Sequence, residues 1–118
     1  MSNRGWIGVD LDGTLAFYDG WKGIEYIGAP IPQMVERVKR WRAEGRRVKI
    51  FTARAGQPAA IPYIQRWCME VFGEAFDVTN VKDYQLVELW DDRAQGIIIN
   101  TGRIKHPEDQ EPALDIGF

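Results

Sequence analysis

The chain is poor in cysteine, in long apolar runs and in net charge, and each shortage removes a class of function. Cys68 is the only cysteine among 118 residues, so neither an intrachain disulfide nor a cysteine-rich metal site is possible. Flanked by Trp67 and Met69 in a helical pattern, it reads as a core thiol, and such cysteine usage fits a reducing, cytoplasmic setting. No stretch reaches the roughly 18 apolar residues of a membrane span, and Met1-Ser2-Asn3-Arg4-Gly5 carries no apolar signal core, so no membrane partner is expected. A formal net charge of -2 offers no global attraction for nucleic acid. One local stripe departs from this balance: Arg37, Lys39, Arg40, Arg42, Arg46, Arg47 and Lys49 stand against Glu44 alone. It reads as a solvated helix face, with nucleic-acid binding as the alternative.

What is present is the composition of a globular protein, with 45% hydrophobic and 27% charged residues. Residues 1–118 suit one domain with catalysis and binding on the same scaffold. Short β-branched and aromatic runs bounded by polar residues read as buried strands: Trp6 to Val9, Val48 to Phe51, Leu86 to Trp90 and Ile97 to Ile99. Asp77 to Thr79 is a candidate for one more. Met34, Val35, Val38 and Trp41 recur at helical spacing between Pro32 and Gly45. Ile61, Ile64, Trp67, Cys68, Val71 and Phe72 do the same in a segment that starts near Pro58 to Pro62 and stops at Gly73.

Alternating strands and helices predict right-handed crossovers and an α/β fold, a Rossmann-like three-layer sandwich with a central parallel sheet covered on both faces. Ligands of such sheets bind beyond the carboxyl ends of the strands. Asp10, Thr52 and Asp91 fall at carboxyl ends, so they are expected on one rim, with Arg46 and Arg47 at the opposite end. Two irregular segments remain: a flap over 16–30, rich in glycine and aromatics, and a tail over 101–118 expected to pack on the sheet or helices. The single histidine, His106 before Pro107, is expected to be incidental.

Asp10 and Asp12 are separated by one residue at a strand end, and like charges held that close repel unless a cation or proton offsets them. Magnesium takes oxygen ligands and keeps several waters, and Asp10 with the Asp91-Asp92 pair supplies the hard anionic environment it needs. The same Asp-x-Asp-Gly-Thr pattern also suits an ordinary turn. The strand before it favours the site.

Asp10-Leu11-Asp12-Gly13-Thr14, then Ile50-Phe51-Thr52, then Lys82, then Trp90-Asp91-Asp92-Arg93 together resemble, in order, the four motifs of the haloacid dehalogenase superfamily of phosphohydrolases. The resemblance implies a magnesium-dependent phosphomonoesterase. Asp10 would be the nucleophile that forms an aspartyl-phosphate, and Asp12 the acid and then base, its backbone carbonyl also meeting the metal. Thr52 and Lys82 would hold phosphoryl oxygens, Thr14 would orient the acidic loop, and the metal group would comprise Asp10, Asp12, Asp91 and Asp92. Arg54, two residues past Thr52 and ahead of a helix amino end, is a candidate to grip phosphate; pairing with Asp12 or Asp91 is its alternative. Arg93 is expected to brace the Asp91-Asp92 turn.

Many relatives carry a separate cap, and here only the flap stands in its place, so the cap is minimal and the site open unless a second subunit of a homo-oligomer covers it. Tyr18 and Trp21 in the flap are candidates to stack a nucleobase, against the plainer reading of a self-packed loop. The capless form with Thr52-Ala53-Arg54 and Asp91-Asp92-Arg93 is similar to deoxyribonucleotidases and to the phosphatase half of phage polynucleotide kinase-phosphatase, which makes a nucleotide or nucleic-acid phosphate the expected substrate. Sugar phosphates, phosphoproteins and a non-catalytic phosphate-binding module are the alternatives.

Overall fold

Trp6-Ile7-Gly8-Val9 has no polar side chain, and such a run suits a strand flanked by neighbours on both sides. In the computed structural model, which describes residues 5–106, it forms β1 (Trp6–Val9) and all four residues are buried. Strands β2 (Arg47–Phe51), β3 (Asp77–Thr79) and β4 (Leu86–Trp90) join it in one four-stranded sheet of order β3-β2-β1-β4. Every pairing is parallel. The β1–β2 register sets Trp6 beside Arg47 and Val9 beside Ile50, so β2 runs one residue beyond the end of β1. Asp77-Val78-Thr79 is therefore a true strand, at the edge next to β2.

Two helices supply the crossovers. Helix α1 (Pro32–Ala43) begins on a proline, tolerated because first-turn amides have no intrahelical partner, and buries Met34, Val35, Val38 and Trp41. Helix α2 (Ile61–Phe72) buries Ile64, Trp67 and Cys68 and ends before Gly73. Side chains alternate across a strand. Ile7 and Val9 of β1, with Val48 and Ile50 of β2, share one face and form a single apolar cluster with the buried residues of both helices. The Cys68 thiol lies inside this cluster, where burial pushes its pKa up to about 11; it is core, as its neighbours in sequence suggested.

The expectation of helices on both faces is corrected. From β1 to β2 to β3 the chain steps in one direction along the sheet, and right-handed crossovers then put both helices on the same side. The opposite face carries Trp6, Lys49 and Phe51, with the Lys49 ammonium 4.6 Å from the Trp6 ring centre. It is crossed by the short connection 80–85, whose Asp83 accepts a 2.9 Å hydrogen bond from the Trp6 indole. Among the described residues no helix covers that face.

A second correction concerns Ile97 to Ile99. They form no strand of the sheet. Ile97 bridges antiparallel to Ile104, Ile98 N–H donates to Arg103 O at 2.9 Å, and the chain reverses at Asn100 with φ 66°. Asn100-Thr101-Gly102 is turn sequence, and it closes a small hairpin before the isoleucines can reach the sheet. Residues 101–106 are its return limb; the rest of the expected tail lies outside the described residues.

The basic stripe is partly spent inside the fold. Arg42 makes two 2.9 Å bonds to Glu74, Arg37 lies 5.0 Å from the Trp90 ring centre, and Lys49 covers Trp6. No helix among the described residues is long and apolar enough to cross a membrane.

Ile64 is fully buried under the sheet whereas Met69, on the same helix, is 51% exposed. Ile64→Ala is expected to lower unfolding free energy by about 2–5 kcal/mol in urea titrations, and Met69→Ala to change it by less than about 0.5 kcal/mol. Equal effects would contradict this packing.

Candidate functional site

The residues that immediately follow the four strands are Asp10, Thr52, Asn80 and Asp91. Parallel strands ending within one residue of one another bring all four to one rim, and all four line a single cavity of about 750 Å³. Ladder bonding continues one residue past the strands: Asp10 N–H donates to Trp90 O and Thr52 N–H to Thr79 O, both at 2.9 Å. The backbone of these rim residues is thus as fixed as the sheet itself.

Around Asp10 the site is acidic. Asp10, Asp91 and Asp92 each offer a carboxylate oxygen, and the three lie within 4.8 Å of one another. The Thr14 hydroxyl sits between two of these groups, 3.3 Å from Asp10 Oδ2 and 3.1 Å from Asp92 Oδ1, and accepts the Asp92 N–H at 3.0 Å. Thr14 therefore orients the acidic loop from outside the cavity wall. Gly13, at φ 90°, follows from the same crowding: a Cβ there would lie 2.7 Å from Asp92 Oδ2. Arg93 braces the turn through its backbone N–H, which donates to Asp91 Oδ1 at 2.7 Å. Arg93 also lines the cavity.

Burial pushes the Asp10 carboxyl up to about 7; the hydrogen bond to Asp92 and the negative charges of Asp91 and Asp92 push the same way, against a smaller opposing effect of Thr14. Asp92 is exposed, and its hydrogen bond with Asp10 lowers its own pKa. Three clustered oxygens with excess negative charge fit a hard divalent cation such as magnesium.

Asp12 faces another way. Its carboxylate is not part of the cluster but is gripped by Arg54, whose Nε and Nη2 donate to Oδ2 and Oδ1, each at 2.8 Å. Arg54 is 7% exposed and also donates to the flap carbonyls of Tyr26 at 3.0 Å and Ile24 at 3.5 Å, with the Trp21 ring 4.8 Å from its Cζ. The alternative expected for Arg54, pairing with Asp12, is the arrangement found. The anticipated helix amino end is not beside it: two 3₁₀ turns, Ala53–Gly56 and Pro58–Ala60, come before α2. Thr52 caps the first, its hydroxyl oxygen accepting the Arg54 N–H at 3.1 Å and keeping its proton to donate.

The flap is held at three points. Phe17 N–H donates to Ala29 O at 2.8 Å, the Trp67 indole to Gly28 O at 3.0 Å, and Arg54 binds its middle. Gly28 packs directly on the Phe17 carbonyl, leaving no room for a Cβ. Tyr18 and Trp21 both line the cavity.

Of the residues singled out from sequence, Thr14 and Lys82 do not line the cavity, and Lys82 alone of the two also makes no contact with its acids. After Asn80 the chain crosses the far face of the sheet, and Asp83 already reaches Trp6 at the amino end of β1. Lys82 is exposed, lines no part of the cavity and makes no hydrogen bond or ion pair among the described residues. Phe51, Gln57 and Asn80 line the cavity without having been anticipated. Asn80 was accessible to the strand-end rule that found Thr52, had it been applied to β3.

Fold and site together define an α/β protein with an open acidic cavity at the carboxyl ends of a parallel sheet. It is similar to a conserved protein of Bacteroides thetaiotaomicron of known structure, at 26% identity and a TM-score of 0.53, over 95% of this chain and 94% of that one. No family model and no curated protein matches the chain.

The Asp10 shift sets a pH dependence. Without divalent metal, folded Asp10 keeps its proton up to about 7, whereas its ordinary value is 3.8. The folded state binds more protons across that window, so this contribution to stability is lost as pH rises through it. In EDTA the melting temperature is expected to fall more steeply from about pH 5 to about pH 8 for the unaltered protein than for Asp10→Asn. Matching slopes would contradict the assignment.

Proposed function

We propose that the chain is a magnesium-dependent phosphomonoesterase of the haloacid dehalogenase type, with a nucleotide or a nucleic-acid phosphate as substrate. The observation that carries this reading is the convergence of Asp10, Asp91 and Asp92 with the Thr52 hydroxyl and the Asp12–Arg54 pair around one cavity at the strand ends. The position of β1 between β2 and β4 supports it, since that order alone brings the Asp10 loop beside both Thr52 and the Asp91-Asp92 pair.

In the proposed reaction an Asp10 carboxylate oxygen attacks phosphorus in line, and the bond from phosphorus to the ester oxygen breaks as the aspartyl-phosphate forms. The departing oxygen takes a proton from Asp12. Water then attacks the same phosphorus, gives a proton back to Asp12, and the bond to Asp10 breaks to release phosphate and restore both carboxyl groups. Thr52 donates its free hydroxyl proton to a phosphoryl oxygen. Asp10, Asp91 and Asp92, with the Asp12 carbonyl, would hold magnesium, which when bound offsets the negative charge of the carboxylates and of the phosphate.

Arg54 enters this scheme through Asp12. A carboxylate accepting both guanidinium bonds has no proton to give, so Asp12 must part from Arg54 to serve as acid. As base, it is already in the required form. The same ion pair is the observation that favours the second reading, a phosphate-binding module without turnover. Lys82 has no part in the reaction built from this geometry.

Purified protein with magnesium is expected to hydrolyse 4-nitrophenyl phosphate and to stop when EDTA is added. Asp10→Asn is expected to lower kcat by about 10³-fold or more. Unchanged turnover in that variant would sink the phosphatase reading, and binding of phosphate without hydrolysis by the unaltered protein would favour the module.

A further inference from the structure

The rim measures distance from the reacting end. Neighbouring strands are spaced about 4.8 Å apart, so Asn80, two strands from Asp10, stands roughly 10 Å along the rim from the nucleophile. That span takes in a phosphoryl group, a pentose and the near edge of a base. The charge of the cavity changes along the same line. Asp10, Asp91 and Asp92 occupy one end, whereas the β3 end is lined by Asn80 and Gln57; Trp21 and Tyr18 of the flap line the same cavity.

The polar groups also differ in what they have left to offer. Asp12 and Arg54 are committed to each other, and Thr14 to Asp10 and Asp92. The carboxamides of Asn80 and Gln57 make no hydrogen bond within the described residues. Each presents a donor and an acceptor side by side, the pattern that matches the edge of a nucleobase, and neither carries charge. While Arg54 stays paired with Asp12, a second phosphate or a carboxylate would find no cation at that end, and Arg93 follows β4 on the opposite side of Asp10. Indole and phenol rings give such a base a stacking surface.

We infer that Asn80 and Gln57 are specificity-determining residues that read the base of a nucleoside monophosphate whose phosphate lies at Asp10 and whose base packs on the Trp21 and Tyr18 wall. This rests on the proposed phosphate site at Asp10 but requires no turnover. It favours one terminal phosphate over a diphosphate or triphosphate chain, and a planar neutral group over a sugar alone.

The test is calorimetric titration of Asp10→Asn protein with magnesium against the nucleoside 5'- and 3'-monophosphates and against ribose 5-phosphate. At least one nucleotide is expected to bind about tenfold or more tightly than ribose 5-phosphate. Asn80→Ala and Gln57→Ala, both at exposed positions, are each expected to reduce that ratio roughly three- to tenfold, the effect of one neutral hydrogen bond. Equal affinity for nucleotide and ribose 5-phosphate, or a ratio unmoved by both variants, would overturn the inference. Either result would leave the phosphatase reading standing, because that reading falls only with Asp10-dependent hydrolysis.

Discussion

Carboxylates held within a few ångströms of one another repel unless a cation or a proton stands between them. The sheet imposes that condition, because β1 and β4 are hydrogen-bonded neighbours and the residues after them are Asp10, Asp91 and Asp92. The rest of the rim follows from the crowding. Thr14 bridges two of the acids, Gly13 gives up a side chain so that Asp92 can approach, and Asp10 retains a proton to near neutral pH.

A second constraint separates Asp12 from that cluster, although only one residue lies between it and Asp10. Extended backbone would keep residues two apart on the same side, but the chain turns after Asp10, with Leu11 O accepting from the N–H groups of Thr14, Leu15 and Ala16. Asp10 turns toward β4 and Asp12 toward the turn after β2, where Arg54 meets it. Arg54 also ties Asp12 to the flap through the carbonyls of Tyr26 and Ile24 and the ring of Trp21. The Asp12 carboxylate and the flap thus share one guanidinium.

Much of this was legible in the residues. Apolar runs ending on polar residues marked β1, β2 and β4, and helical spacing with proline at the start marked α1 and α2, because one buried face leaves a periodic trace. The rim position of Asp10, Thr52 and Asp91 followed from parallel topology alone. What failed depended on path and length. Ile97 to Ile99 has strand composition, yet the turn at Asn100 folds it into a separate hairpin. Lys82 matched a motif position, but the six residues 80–85 must run from one sheet edge to the other, which carries it across the far face. The same path explains why the second helical layer is missing among the described residues. Arg54 was singled out by its place after Thr52, whereas its pairing with Asp12 depended on side-chain geometry that no spacing encodes.

In the proposed reaction Asp10 becomes phosphorylated. Protein mixed with magnesium and a phosphate monoester, quenched in acid and digested, would be searched by mass spectrometry for a phosphoryl group. A phosphorylated Asp10 that is absent from the Asp10→Asn protein is the predicted result; turnover with the phosphoryl group on a different residue, or on none, would contradict it.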